Sequence, residues 1–356
     1  MRSPNDTIVH MQKLIKSFEE LPKKLAILLI VKLKSETIIE DYTRYSVLTT
    51  YFTDKELDDL LKGFQEFADY VDICYGEKQF VQRLQSGFYD HLTGYMKIAY
   101  SEQSTGTSRS KSAIFPSICE LYGVRYCSND TFTAALLDNK MATFSIMQSC
   151  GFSLPKTWFF KYGTGWLNSA PPNNLKLIAK PAYECASIGI DDTAVGLLDD
   201  HYLNHVETLS RDLNQPVMVQ EFISGYEVEV PLFDDSDAYT PCSVGISLHG
   251  NRLMDDRFLA YDTIFDDGFD LFNFDSHENG ISGAIKREAN QIYRLLQLKG
   301  PVRIDYRITP EGTHYIMDYN NSPTLAKLHS FAFCVQEFGF SYADMLKLVV
   351  YPTLGL

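Results

Sequence analysis

Positive charge is scarce in this chain, and so are long apolar runs, paired cysteines and glycine-rich phosphate loops. Its 356 residues carry 32 lysines and arginines against 46 aspartates and glutamates, a formal charge of −14. A surface this acidic repels a phosphate backbone, which disfavours non-specific nucleic-acid binding but leaves room for a local basic pocket holding a nucleotide. The longest apolar run, Leu25–Val31 (LAILLIV), falls far short of the roughly 20 residues that a membrane span requires. No small-residue cleavage site follows it, so it reads as a buried strand rather than a signal peptide. The 7 cysteines are odd in number and contain no CxxC pair, which excludes a disulfide framework or a zinc site. They read as core filler in a reducing compartment, which places the chain in the cytoplasm. Several chemical signatures are missing too. No GxGxxG follows a strand, and there is no HExxH or GxSxG. Ser104–Ser112 (STGTSRSKS) lacks the two spaced glycines of a P-loop, and Asp266-Asp267-Gly268 lacks calcium-loop spacing.

What is present is ample core material: 45% hydrophobic and 13% aromatic residues, which rules out bulk disorder. Ile8, Met11, Leu14, Ile15 and Phe18 recur at helical spacing within residues 5–21. A strand at Lys24–Val31 follows, then a helix from Asp54, strands at Tyr70–Cys74 and Tyr95–Tyr100, and a polar loop at Ser101–Lys111. Ile114–Tyr122 is helical and Val124–Tyr126 extended, an alternation that predicts a parallel sheet over residues 1–135. Beyond it the pattern predicts one helix from Thr131 to Cys150 stopped at Gly151, and a loop at Ser169–Asn174. A strand at Lys176–Lys180, a helix at Leu198–Leu213 and a strand at Pro216–Glu221 come next.

Three clusters carry candidate chemistry. Val302–Ile308 and Thr313–Asn320 flank the turn Thr309-Pro310-Glu311-Gly312. Pairing Ile308 with Thr313 sets Arg303 opposite Asp318 and Asp305 opposite Ile316. Strand alternation then gathers Arg303, Asp305, Arg307, His314, Asp318 and Asn320 on one face. Val302, Ile304, Tyr306, Ile308, Tyr315, Met317 and Tyr319 take the other. Two carboxylates and an amide oxygen beside an arginine make a hard oxygen site suited to Mg²⁺ carrying phosphate. The same pattern also describes an ordinary sheet with one dry and one wet face. The second cluster is Lys180 at a strand end entering the small-residue loop Ala182–Ile190, where an ammonium and backbone N–H groups can hold phosphate; a plain turn is the alternative. The third is Gln220–Glu227, a strand running into a turn, which can present backbone to an adenine edge and Glu227 to a ribose, or do neither.

In this order the clusters resemble the D-alanine–D-alanine ligase branch of the ATP-grasp superfamily, from about Asp138 to the C-terminus and more faintly before it. The family's lysine after an Asp-rich turn is matched by Asp138-Asn139-Lys140, and its Lys-Pro-Ala-x-Glu-Gly-Ser-Ser-x-Gly loop by Lys180–Gly189. Its Glu-x-x-Ile-x-Gly-x-Glu hinge is matched by Gln220–Glu227, and its Arg-x-Asp and Glu-x-Asn strands by Arg303, Asp305, Asp318 and Asn320, with Pro323 following. Phe338–Asp344 is similar to its closing helix start. The resemblance implies an α/β protein, α+β in the grasp lobes, of three-domain ATP-grasp architecture. Residues 1–135 would form a Rossmann-like N-terminal domain, 136–224 the central small lobe, and 225–356 the C-terminal lobe, with ATP between the last two.

The resemblance also implies roles. Lys140 and Lys180 would hold the ATP phosphates beneath the loop bearing Ser187, Glu221 and Ile223 would meet adenine through their backbone, and Glu227 would hold the ribose. Asp305, Asp318 and Asn320 would bind two Mg²⁺ ions, with Mn²⁺ a substitute, and Arg303 would stabilise an oxyanion. The reaction would be activation of a carboxylate as acyl phosphate followed by amine attack, on small-molecule carboxylate and amine substrates, with a homodimer as the family's habit. The sequence departs from the family in several places: Cys185 and Ala186 replace Gly and Ser, Gln220 replaces the hinge Glu, Asp318 replaces a metal-binding Glu with a shorter carboxylate arm, and Thr324 replaces Gly. The family's N-terminal Gly-Gly-x-Ser-x-Glu is absent, leaving Glu36 as a stand-in, and its closing-loop Lys-Tyr pair is missing. The closing region instead carries Asp255, Asp256, Asp262, Asp266, Asp267, Asp270 and Asp275, either a selector for a cationic amine or a solvated loop. The expectation is a carboxylate–amine ligase with substrates other than two D-alanines. The alternatives are a ligase for a non-amino-acid carboxylate and a nucleotide-binding protein without catalysis.

Overall fold

An apolar run without alternation marks a strand covered on both faces, and β1 (Leu25–Val31) is buried along its whole length. The computed structural model describes residues 4–35, 47–103, 106, 108–235, 238–265, 268–276 and 280–355. In it β1 lies between β2 (Tyr70–Tyr75) and β3 (Met96–Tyr100), with β4 (Arg125–Tyr126) beyond β3, all parallel. The pleat sends Ala26, Leu28 and Ile30 to a core with Phe80 and Phe115. Leu25, Ile27, Leu29 and Val31 face Leu60 and Phe64 of the helix Asp54–Gln65, and also Met345 and Leu346 of the helix Tyr342–Val350. The C-terminal helix therefore completes the core of the first sheet.

Two antiparallel sheets follow. In the first, β5 (Thr157–Lys161), β6 (Gly165–Trp166), β7 (Lys176–Pro181), β8 (Val195–Leu197) and β9 (Val217–Glu221) are ordered β6-β5-β9-β7-β8. The helix Asp200–Asp212, capped by Asp199, seals its dry face with Tyr202, Val206 and Leu209. In the second, β10 (Tyr226–Leu232), β11 (Val244–Ser247), β12 (Asp270–Asn273), β13 (Val302–Ile308) and β14 (His314–Asn320) are ordered β12-β11-β10-β13-β14. The helix Ile281–Leu295 lays Ile285, Ala289 and Ile292 on Val228, Val230, Ile304 and Tyr306. The opposite face of β10 and β13 is left for polar side chains.

The single helix expected from Thr131 to Cys150 is two helices, Thr131–Leu137 and Lys140–Ser149. Short polar side chains divert the backbone here. The Asn139 side chain accepts from Ala142 N–H at 3.2 Å and caps the second helix, while Asp138 accepts from Ser112 N–H at 2.7 Å and from Ser112 Oγ at 2.6 Å. Lys140 N–H is thereby released to donate to the Ala182 carbonyl at 3.0 Å.

Gly225 leads into β10 with φ +151, and a Cβ there would lie 2.1 Å from the Ile308 carbonyl oxygen. Gly225→Ala should therefore cost about 3 kcal/mol in chemical denaturation, from backbone overlap plus the unfavourable dihedral. Gly94→Ala, at φ +83 but with nothing within 4 Å, should cost only about 1 kcal/mol.

Candidate active site

Which side chains of β13 and β14 meet is decided by a bulge. Thr309 N–H donates to Thr313 O at 2.8 Å, so the turn closes one residue later than expected. Ile308 pairs with His314, Arg307 with Tyr315 and Tyr306 with Ile316. The ladder then slips, and Asp305 pairs with Asp318, Ile304 with Tyr319 and Arg303 with Asn320. The expected pairing of Arg303 with Asp318 and Asp305 with Ile316 is replaced. Without the slip, Asp318 and Asn320 would point away from Arg303; the extra residue, Met317, returns them to its face. Met317 itself lines the cavity, against expectation. His314 moves to the opposite face, with its ring 6.1 Å from that of Tyr306 and Nε2 3.4 Å from Glu288.

The antiparallel neighbour β10 sets Glu229 opposite Asp305 and Glu227 opposite Arg307. These residues open on a cavity of about 270 Å³ that lies between the two antiparallel sheets and reaches the first sheet. It is lined by Lys140, Lys180, Ser187, Ile223, Glu227, Arg303, Asp305, Asp318 and Asn320. Glu221 is not among the lining residues: its N–H donates to Lys156 O at 2.9 Å, and its carboxylate lies 3.5 Å from Lys156 Nζ. At this hinge Phe222 and Ile223 face the cavity instead.

Charge pairing inside the cavity is dense. Lys140 Nζ donates to both Asp318 oxygens, at 2.5 and 2.6 Å. Burial alone would raise the Asp318 carboxyl, but Lys140 and Lys180 outweigh it and hold it below the usual carboxylate range. Burial pulls the Lys180 ammonium down, and neighbouring Lys140 adds to this against Asp318 and Glu227. Arg303 grips Asp305 in a bidentate contact, Nε to Oδ1 at 2.7 Å and an Nη to Oδ2 at 2.9 Å, and its other Nη lies 3.1 Å from Glu229. Burial opposes the Arg303 charge, but these two acids hold its proton above the ordinary value. Burial also lifts Glu229 to about 7, against the pull of Arg303. Arg307 pairs with Glu227 at 2.6 Å and donates to Arg257 O at 2.9 Å.

The loop after Lys180 is held in an uncommon backbone. Ala186 and Ser187 are both left-handed, at φ 50 and 54, and Ser187 Oγ donates to Leu259 O at 2.8 Å. Beneath it Glu184 is buried against Lys111 Nζ at 2.5 Å and accepts from Gln215 Nε2 at 2.9 Å. Lys111 and Ser112 thus line the cavity from the stretch set aside as a failed P-loop, and only the fold could reveal that. Glu229 was readable, since it stands two residues after Glu227 on the same strand face.

The closing-region hypothesis gains no footing. None of its described aspartates lines the cavity, where Phe258, Leu259, Ile264 and Phe269 do. Asp256 pairs with Lys176 at 2.8 Å, and Asp275 accepts from Ser243 N–H at 3.0 Å and bonds Lys286. Asp266, Asp267 and Glu36 lie outside the described residues. Among the described residues, no group of three His, Cys, Asp or Glu side chains converges as a metal site, and no helix is long and apolar enough to cross a membrane. The donor set toward a cation is Asp305, Asp318 and Asn320, all hard oxygen ligands, with Asp318 held ionised, and it fits Mg²⁺ rather than a softer metal.

A family model described as D-ala D-ala ligase C-terminus matches residues 159–351, more than half of the chain. The chain belongs to this family. It is an ATP-dependent carboxylate–amine ligase of the ATP-grasp type. A D-alanine–D-alanine ligase from Cupriavidus pinatubonensis is 26% identical over 247 residues, 67% of this chain and 71% of that relative. Among solved structures, the fold is shared with the D-alanine–D-alanine ligase of Bacillus anthracis complexed with ATP, at TM-score 0.66 and 12% identity over 93% of this chain and 98% of that one. It is shared too with the VanG D-Ala:D-Ser ligase of Enterococcus faecalis, at TM-score 0.62 and 16% identity over 92% and 99%. Within this D-Ala D-Ala ligase frame, the Lys111–Glu184 pair ties the loop after β7 to the first sheet's connections. Lys111→Met should destabilise the ligase by about 3–5 kcal/mol, because it strands a buried carboxylate. Urea denaturation should show a smaller loss for Lys111→Met combined with Glu184→Leu.

Proposed function

We propose that this ligase transfers the γ-phosphoryl of ATP to a substrate carboxylate and lets an amine displace phosphate from the acyl phosphate. The observation that carries the reading is one buried cavity holding Lys140 and Lys180 together with Arg303, Asp305, Asp318 and Asn320. Lys140 and Lys180 would bind phosphate oxygens, with the left-handed turn at Ala186 and Ser187 covering them. Ile223, with Glu221 through its backbone, would position adenine, and Glu227 would hold the ribose hydroxyls. Asp305, Asp318 and Asn320 would hold Mg²⁺, two ions with Mn²⁺ as a substitute, which neutralise charge on the transferred phosphoryl.

The protein's own part is placement and charge. Arg303 is fixed by Asp305 and Glu229, so it meets the oxyanion of the tetrahedral intermediate without reorganising. In that intermediate the amine nitrogen has bonded to the acyl carbon; collapse expels phosphate, and the nitrogen loses a proton. Ala186 removes a hydroxyl that the family uses at its first substrate, which supports substrates other than a pair of D-alanines. The partners are small molecules, and a homodimer is to be checked by sedimentation.

The test is ADP and phosphate release with ATP and Mg²⁺ across pooled amino acids of both hands and simple carboxylates, with products identified by mass. Arg303→Ala should lower turnover roughly 100- to 1,000-fold while ATP still binds. Tight ATP binding with no ADP release in any pool would instead favour a nucleotide-binding protein without chemistry.

A further inference from the structure

Phe258, Leu259, Ile264 and Phe269 line the cavity half-buried, and none of them belongs to a hydrophobic core among the described residues. They divide into two pairs. The Phe258 ring lies 6.3 Å from that of Phe222 at the hinge, and Leu259 O accepts from Ser187 Oγ at 2.8 Å, so this pair sits with the nucleotide. Ile264 and Phe269 sit elsewhere. The short helix Tyr261–Phe265, which carries Ile264, packs on the turn Val47–Thr50 of the first domain. The Phe269 ring lies 5.9 Å from that of His329. Burial draws His329 down to about 4, and the charges of Arg303 and Lys34 add to this, which places Phe269 near the reacting end of the cavity.

The wall continues with Phe52, which also lines the cavity. Its N–H donates to Lys32 O at 3.0 Å and its carbonyl accepts from Lys34 N–H at 2.8 Å, so it is tied to the chain leaving β1. Phosphoryl transfer makes no use of these three side chains: adenine is assigned to the hinge and the phosphates to Lys140 and Lys180. Apolar side chains left uncovered in a cavity gain free energy when an apolar group displaces water from them. A methyl group would cover only part of an aromatic ring and a branched chain, so the matching substituent is larger.

We propose that Ile264 and Phe269, backed by Phe52, form a specificity pocket for an apolar side chain larger than methyl on one of the two substrates this ligase joins. The proposal rests on the ligase reading and narrows it. It directs the search to acids or amines of the leucine or phenylalanine type, and away from glycine and alanine.

The experiment measures ADP release with ATP and Mg²⁺ in two size series. One varies the acid through glycine, alanine, valine, leucine and phenylalanine of both hands against a fixed amine pool; the other varies the amine against a fixed acid pool. Product masses and fragmentation show which residue takes which position. In at least one series kcat/KM should rise from alanine to leucine, by roughly tenfold or more for each added methylene. Phe269→Ala and Ile264→Ala should each lower the ratio of kcat/KM for the favoured large substrate over alanine by roughly tenfold to a hundredfold. Phe269→Leu, which stays apolar, should keep most of that ratio. Neither side chain belongs to a core, so the variants should melt close to wild type. Highest kcat/KM with glycine or alanine in both series, or a ratio that both alanine variants leave unchanged, would overturn the proposal and leave the ligase standing. No ADP release in any pool would bring down both.

Discussion

Opposite charges buried together in one low-dielectric cavity constrain everything around them. Burial opposes the charges of Lys180 and Arg303, and it is offset at Lys180 by Asp318 and at Arg303 by Asp305 and Glu229. The pairs stabilise one another only if their backbones are placed to within a fraction of an ångström, and that placement is the work of the two antiparallel sheets. The helix Ile281–Leu295 fixes the dry face of β10 and β13, so their wet face presents Glu227, Glu229, Arg303, Asp305 and Arg307 in register. Such a preorganised set of charges suits a reaction in which the chemistry is mostly charge redistribution on phosphoryl and acyl oxygens.

Lys140 and Lys180 lie in the cavity beneath a loop with two left-handed residues, whose Glu184 is clamped by Lys111 and Gln215. The end nearer the first sheet is lined by Lys34, Glu56 and Glu102. The departures from the family's motifs lie at Cys185 and Ala186 in the loop between β7 and β8, at Gln220 in β9, at Asp318 in β14 and at Thr324 after it.

Local pattern carried much of the fold. Strand β1, the helices starting at Asp54 and Ile114, and the hairpin around Pro310 follow from apolar period, capping and turn chemistry that act within a few residues. So did the clusters around Lys180 and Gln220, each a strand end running into a loop, and the Arg303 cluster, which lies on a hairpin. The failures share a cause. The break at Asp138-Asn139, the bulge at Met317 and the recruitment of Lys111 are each fixed by partners far along the chain: Ser112 and Ala182 for the first, β13 for the second, Glu184 for the third.

By itself, then, the sequence determined an α/β chain through periodicity and spacing, which need no knowledge of what lies across the core. The ATP-grasp frame followed from the resemblance of its motifs to a known family. Only the tertiary structure decided which face Asp318 and Asn320 take, that Glu221 turns outward while Glu229 turns in, and that Lys111 comes to pair with Glu184 beneath the loop after β7. Facing depends on the parity of a register, and burial depends on which distant elements close over a group. Neither quantity is a property of any one segment.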